Sequence, residues 1–178
     1  MSPTDVDVLQ TSHEVWVIDT CSILQVRREP SLASRRARTY SAMAAAVKNG
    51  SLVFPTEVHG ELDRGRGKLS PGSTDEPYEW AAKARDAATR HGTDFDVVKR
   101  VLAKVPKVLD AEKPAGADEA DPYVLALALR LKEHGHEVTV ISEERKDRPD
   151  KMSLTTACGL LRLYCVPLMG FLGDQGMI

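Results

Sequence analysis

Apolar positions along this chain fall into two patterns, short unbroken runs and longer stretches of helical period, and the two alternate. The run 15–18, between Glu14 and Asp19, is β-branched and aromatic and too short for a helix, which predicts a strand buried on both faces. Residues 51–54, 138–142 and 163–166 read as three further strands. Residues 31–48 carry Tyr40, Met43, Ala44 and Val47 at helical spacing and stop at Asn49-Gly50. Pro55 opens a helix to about Asp63, since proline is well tolerated in a first turn. Residues 77–90 are Ala-rich and helical, and residues 94–105 place Val97, Val98, Val101, Leu102 and Val105 on one face. Residues 121–131 are apolar almost all round and predict a buried helix. Residues 154–161 give a short helix and 168–172 a closing turn. The hydroxyl-rich stretch after Asp19, residues 65–76 and residues 111–119 read as loops.

Strands alternating with helices predict an α/β fold with a central parallel sheet and right-handed crossovers. Ligands bind such sheets outside the carboxyl ends of the strands. Asp19 ends the first strand, and Glu143 and Glu144 follow the third, so these acids share one rim whatever the strand order. Two more acids open or line helices. Glu61 adjoins the face of Val58 and Leu62, with Glu57 one turn earlier read as favourable charge near the helix start. Asp118, Glu119 and Asp121 crowd the start of the buried helix, where one of them is expected to cap it. Asp121 is the acid most firmly tied to rigid structure.

Carboxylates drawn from distant parts of a chain repel one another, and a divalent cation among them relieves that. Asp19, Glu61, Asp121 and Glu144 are therefore the candidate catalytic and metal-ligating residues, with Glu143 and Asp118 as alternates. Oxygen ligands without a His or Cys set favour Mg²⁺ or Mn²⁺ over zinc. Such a centre suits phosphodiester hydrolysis and needs no nucleophilic side chain. Thr20, Ser22, Ser142, Arg64 and Arg145 are the candidate substrate contacts.

Size and charge narrow the picture. A chain of 178 residues with 42% hydrophobic and 28% charged residues fits a single domain, 14–178, behind a polar extension at 1–13. That extension has neither a basic nor an apolar segment of a secretory signal, and no run is long enough to span a bilayer, so a cytoplasmic protein without a membrane partner is expected. Cys21, Cys158 and Cys165 show no metal-binding spacing, and Cys158 and Cys165 read as core thiols. The net charge of −2 does not advertise a polyanionic partner. Arginines and lysines nevertheless group at 27–38, at 64–68 and at 145–151, each shortly after an acidic stretch, so basic loops could surround an acidic centre.

In this order, the motifs resemble the PIN-domain ribonucleases. The likeness rests on Val-Ile-Asp19-Thr-Cys-Ser22, Pro55 followed by Val58-His-Gly-Glu61-Leu62, Ala120-Asp121-Pro-Tyr-Val-Leu-Ala-Leu-Ala128, and Ile141-Ser142-Glu143-Glu144. It covers residues 15–172 and is closest to a bacterial PIN-like group with a terminal Glu pair and a closing helix and strand that carry Cys. Glutamate stands in the fourth position, where aspartate is more usual. The resemblance implies a three-layer α/β/α fold and a Mg²⁺- or Mn²⁺-dependent endoribonuclease, often the toxin of a toxin–antitoxin pair and commonly a homodimer. Its substrate would be RNA, single-stranded more readily than duplex, because a rim cleft admits an unstacked strand.

Rival readings lack their residues. A phosphatase of the haloacid dehalogenase type needs Asp-x-Asp, and Cys21 occupies the second position. A dinucleotide site needs GxGxxG after the first strand, and none follows. A catalytically inert PIN-like module that binds RNA or protein is the alternative from another class.

Overall fold

The computed structural model describes residues 13–65, 74–113 and 119–178. Its centre is a sheet of four parallel strands, β1 (Glu14–Ile18), β2 (Leu52–Val53), β3 (Glu137–Ile141) and β4 (Tyr164–Val166), in the order β2-β1-β3-β4. Eight α-helices among the described residues flank the sheet and give a three-layer α/β/α architecture. They are α1 (Thr20–Arg28), α2 (Arg36–Asn49), α3 (Thr56–Gly65), α4 (Glu76–Ala88), α5 (Phe95–Lys104), α6 (Asp121–Glu133), α7 (Leu154–Leu160) and α8 (Leu168–Asp174).

The unbroken apolar runs are explained by this layering. Val17, Ile18, Val140 and Ile141 are shielded completely, as in strands covered on both faces. Helix α6 packs on β1 and β3 and also carries α5, so Val124, Leu125, Ala126, Leu127 and Ala128 are all buried. Beyond β2, Trp80 of α4 lies against Phe54 and Tyr40, each with ring centres 5.9 Å away, and its indole N–H donates to the Tyr40 carbonyl at 3.0 Å.

Two expectations change. The residues after Asp19 form α1 and not a loop. Asp19 has extended backbone and accepts a hydrogen bond from the Ser22 N–H at 2.7 Å, a strong N-cap, while Ile23 and Val26 bury the inner face. The helix expected from residue 31 begins only at Arg36, because Pro30–Leu32 turn separately as a short 3₁₀ segment. The N-terminal extension up to residue 12 and most of the two remaining expected loops, residues 66–73 and 114–118, lie outside the described residues.

Strand order positions the site. The chain runs from β1 to β2 on one side, then crosses over to β3 on the other, so β1 and β3 flank the point where the winding reverses. Their register pairs Ile18 with Ile141, and the Asp19 N–H donates to the Ile141 carbonyl at 3.1 Å. Asp19 and Ser142 therefore leave the sheet side by side at its carboxyl rim.

Candidate metal centre

Asp19 is 2% exposed and uses both carboxylate oxygens, Oδ1 accepting from the Ser22 N–H and Oδ2 from the Ser142 hydroxyl at 2.6 Å. Burial, with a smaller contribution from the neighbouring Asp121 charge, pushes its pKa up to about 7 against the pull of those hydrogen bonds. The Ser142 oxygen in turn accepts from the Glu144 N–H at 3.1 Å. Ser142 is buried, so the structure gives it the task of holding Asp19 and Glu144 in place.

Helix α3 anchors through Val58 and Leu62, which leaves Glu61 facing the rim. Its Oε2 accepts from the Thr20 hydroxyl at 2.5 Å and its Oε1 from the Ala120 N–H at 3.1 Å. Ala120 is the cap position of α6 and supplies no side-chain acceptor, so Glu61 serves that helix start from across the site. Asp121, the first residue of α6, is nearly buried. Desolvation, then repulsion from Glu144, push its pKa up to about 6, although Lys151 pulls the other way.

Lys151, read in the sequence only as part of the basic group at 145–151, sits inside the pocket itself. Its ammonium lies 2.6 Å from Asp121 Oδ2 and 2.9 Å from Glu144 Oε1, with only 8% of the residue exposed. Burial works to lower its pKa, but the two carboxylates outweigh that and keep the group charged. The sequence shows a lysine in a basic group after the Glu pair, and nothing local separates it from the exposed charges beside it.

These contacts form a circuit: Asp19 to Ser142, Ser142 to Glu144, Glu144 through Lys151 to Asp121, then Ala120 to Glu61 and Glu61 to Thr20, next to Asp19. Cys21 sits within reach of the whole set. Burial first, then the charges of Asp19, Glu144, Asp121 and Glu61, together push its thiol pKa up to about 12.

The other candidates divide. Glu143 turns away, accepting the Leu168 N–H at 2.7 Å at the start of α8. Asp118 lies outside the described residues. Glu119 holds the Asp110 N–H at 2.9 Å and lies 3.6 Å from Lys113. Ser22 is fully buried, close enough to Asp19 to help lower its pKa, yet its hydroxyl oxygen has no well-formed hydrogen bond. Arg64 is exposed on α3, one turn beyond Glu61. Arg145 is exposed and, with Lys146, Arg148, Lys151 and Glu144, lines a groove of about 510 Å³. From the first basic group, Arg27 and Arg36 serve the fold, pairing with Asp75 at 3.6 Å and Glu76 at 3.3 Å.

Among the described residues, no three His, Cys, Asp or Glu side chains stand grouped as they would around a metal ion. Lys151 pairs with Asp121 and Glu144, while Asp19 accepts from Ser22 and Ser142 and Glu61 from Thr20 and Ala120. The acidic side chains at this rim are nonetheless of the class that hard divalent cations take. Their ligating atoms are oxygens, although Asp121 and Glu144 are already paired with Lys151, and the buried Ser22 hydroxyl lies against Asp19. Asp19, Glu61, Asp121 and Glu144 are the residues that would hold such an ion.

Fold and site together define an α/β/α protein with an acidic, lysine-bridged pocket at the switch point of a parallel sheet. The chain belongs to the family described as a domain of unknown function, DUF4411, whose pattern matches residues 16–178 and so takes in every residue of the pocket. No curated protein matches the chain. Among the described residues, no helix is long and apolar enough to cross a membrane.

Proposed function

We propose that this protein is a divalent-metal-dependent endoribonuclease that hydrolyses RNA phosphodiester bonds at the Asp19–Glu61–Asp121–Glu144 pocket. The observation that carries this reading is the convergence of four carboxylates at one rim, Asp19 after β1, Glu61 of α3, Asp121 of α6 and Glu144 after β3, all close enough to act on the Cys21 thiol, with the Lys151 ammonium paired to Asp121 and Glu144. A fold that only needed stability would have little use for so much like charge at one rim, since burying unpaired carboxylates is costly. The order of motifs shared with PIN-domain ribonucleases supports the same reading. A role as a toxin, an antitoxin partner and a homodimer are supported by that resemblance alone.

A bound Mg²⁺ or Mn²⁺ would lower the pKa of a water ligand and neutralise charge building on the phosphate oxygens. The chain's own residues do the positioning. Ser142 and the α1 N-terminus fix Asp19, Thr20 and Ala120 fix Glu61, and α6 holds Asp121 rigidly. The groove beside Glu144, lined by Arg145, Lys146 and Arg148, offers positive charge to the RNA backbone as it enters.

Labelled single-stranded RNA incubated with the protein tests this. Cleavage should require Mn²⁺ or Mg²⁺, and Asp19→Asn should abolish it while circular dichroism stays native. Lys151 at the centre favours one second reading, an inert module that binds RNA without cutting it. Absence of cleavage with either ion, together with RNA binding that Asp19→Asn leaves unchanged, would establish that reading in place of ours.

A further inference from the structure

Helix α7 and strand β4 bring together two cysteines that the acidic pocket does not use. We propose that Cys158 and Cys165 form a peroxide-reactive pair, in which Cys165 is oxidised first and Cys158 then closes a reversible disulfide on it. Their side chains are already in hydrogen-bonding contact. The turn between them creates that contact. The Leu163 N–H donates to the Cys158 carbonyl at 2.8 Å and the Arg162 N–H to the Gly159 carbonyl at 3.1 Å, while Arg162 takes left-handed backbone with φ of 57°. The chain so doubles back, and β4 lies against α7.

The two sulfurs are unequal. Cys158 is fully buried, whereas Cys165 is half-buried on β4, the edge strand beside β3. The hydrogen bond with Cys158 lowers the Cys165 pKa, helped by Thr155 and the Arg145 charge and opposed by burial and Glu143. The same bond, with burial, raises the Cys158 thiol. The Thr155 hydroxyl lies 2.7 Å from the Glu144 carbonyl and 3.7 Å from Cys165 Sγ. Its hydrogen can turn to the sulfur when the thiolate forms, while the Thr155 N–H stays on that carbonyl at 3.3 Å. A supported thiolate within reach of small solutes and touching a second thiol is the arrangement that oxidants attack. Cys21 is the contrast, a thiol pushed up to about 12 by burial and the carboxylates around it.

The oxidant is a peroxide. The Cys165 thiolate attacks one peroxide oxygen, the O–O bond breaks, and Cys165 becomes a sulfenic acid as hydroxide leaves and takes up the proton the thiol had released. Cys158 then attacks the Cys165 sulfur; the S–O bond breaks, the S–S bond forms, and the Cys158 proton departs with the oxygen as water. Two thiols are oxidised and one hydrogen peroxide is reduced to two waters.

Treatment of the intact protein with hydrogen peroxide, followed by thiol titration in denaturant and non-reducing tryptic mapping, tests the proposal without reference to activity. Of the three free thiols, two should be lost and should return with dithiothreitol. Arg162 lies between the pair, so trypsin leaves residues 152–162 and 163–178 as separate peptides, and these should be joined by the disulfide. In Cys158→Ala, dimedone should label Cys165; in Cys165→Ala, it should leave Cys158 unlabelled. Three thiols surviving the peroxide, a disulfide through Cys21, or dimedone on Cys158 would each overturn the proposal. If neither variant folds, the wild-type map decides: joined peptides support the pair, and separate ones overturn it.

Discussion

At the scale of single residues, the pocket is governed by how its carboxylates are held and not by their number. Asp19 is buried with a raised pKa, and the Ser142 hydroxyl is the foremost of the donors, with the Ser22 hydroxyl and N–H, that steady its charged form. If Asp19 holds a metal ion as proposed, such partners orient it, and losing one typically costs about 10–100-fold in metal affinity or activity. Ser142→Ala should therefore weaken Mn²⁺ binding by about that factor, read from a calorimetric titration; unchanged affinity would show that Asp19 needs no such support. The four acids were legible in the sequence because each adjoins an apolar run that fixes its place. The choice between Glu143 and Glu144 was not, since pleat alternation stops where the strand ends, and only the Leu168 N–H shows which one is engaged elsewhere. Lys151 was illegible for a different reason: its meaning lies wholly in contacts with Asp121 and Glu144 that no local pattern encodes.

Among the elements, caps and stops mattered more than propensity. Helix α1 was missed because Thr20, Cys21 and Ser22 are weak helix formers, yet the Asp19 cap and the buried Ile23 and Val26 are enough to form it. The same carboxylate thus starts a helix and faces the pocket, so the cap and the catalytic role expected of Asp19 are compatible. The stop of α2 was read correctly from Asn49-Gly50. Gly50 takes the left-handed conformation, with φ of 89°, and a methyl group there would come within 3.2 Å of Arg90 Nη1. Arg90 also donates from Nη2 to the Val47 carbonyl at 2.6 Å, closing the end of α2. Gly50→Ala should cost about 1–2 kcal/mol, measured as a shift in the urea midpoint; a neutral substitution would mean that the helix end relaxes freely.

For the molecule as a whole, the parallel sheet was legible because runs and helical stretches alternate, and any parallel order puts the strand ends on a common rim. Strand order was not legible, because it depends on which way each crossover turns. It is the order β2-β1-β3-β4 that makes Asp19 and Ser142 neighbours and not merely residents of one edge. The distribution of charge was only partly readable: the third basic group lines the groove beside Glu144, while part of the first braces α1 and α2 against the start of α4. If RNA phosphates lie along that groove, Arg145→Ala should weaken RNA binding across sequences alike and reduce the slope of log affinity against log salt by about one. An unaltered slope in a filter-binding series would place the RNA elsewhere.

The closed circuit of contacts from Asp19 round to Thr20 has a consequence for how this pocket can be dissected. Each member is fixed by two others, so loosening one shifts the geometry presented by the next, and energies measured by single replacements will not sum to that of a multiple replacement. No private share of the chemistry belongs to any one of these side chains; the indivisible unit is the loop they form.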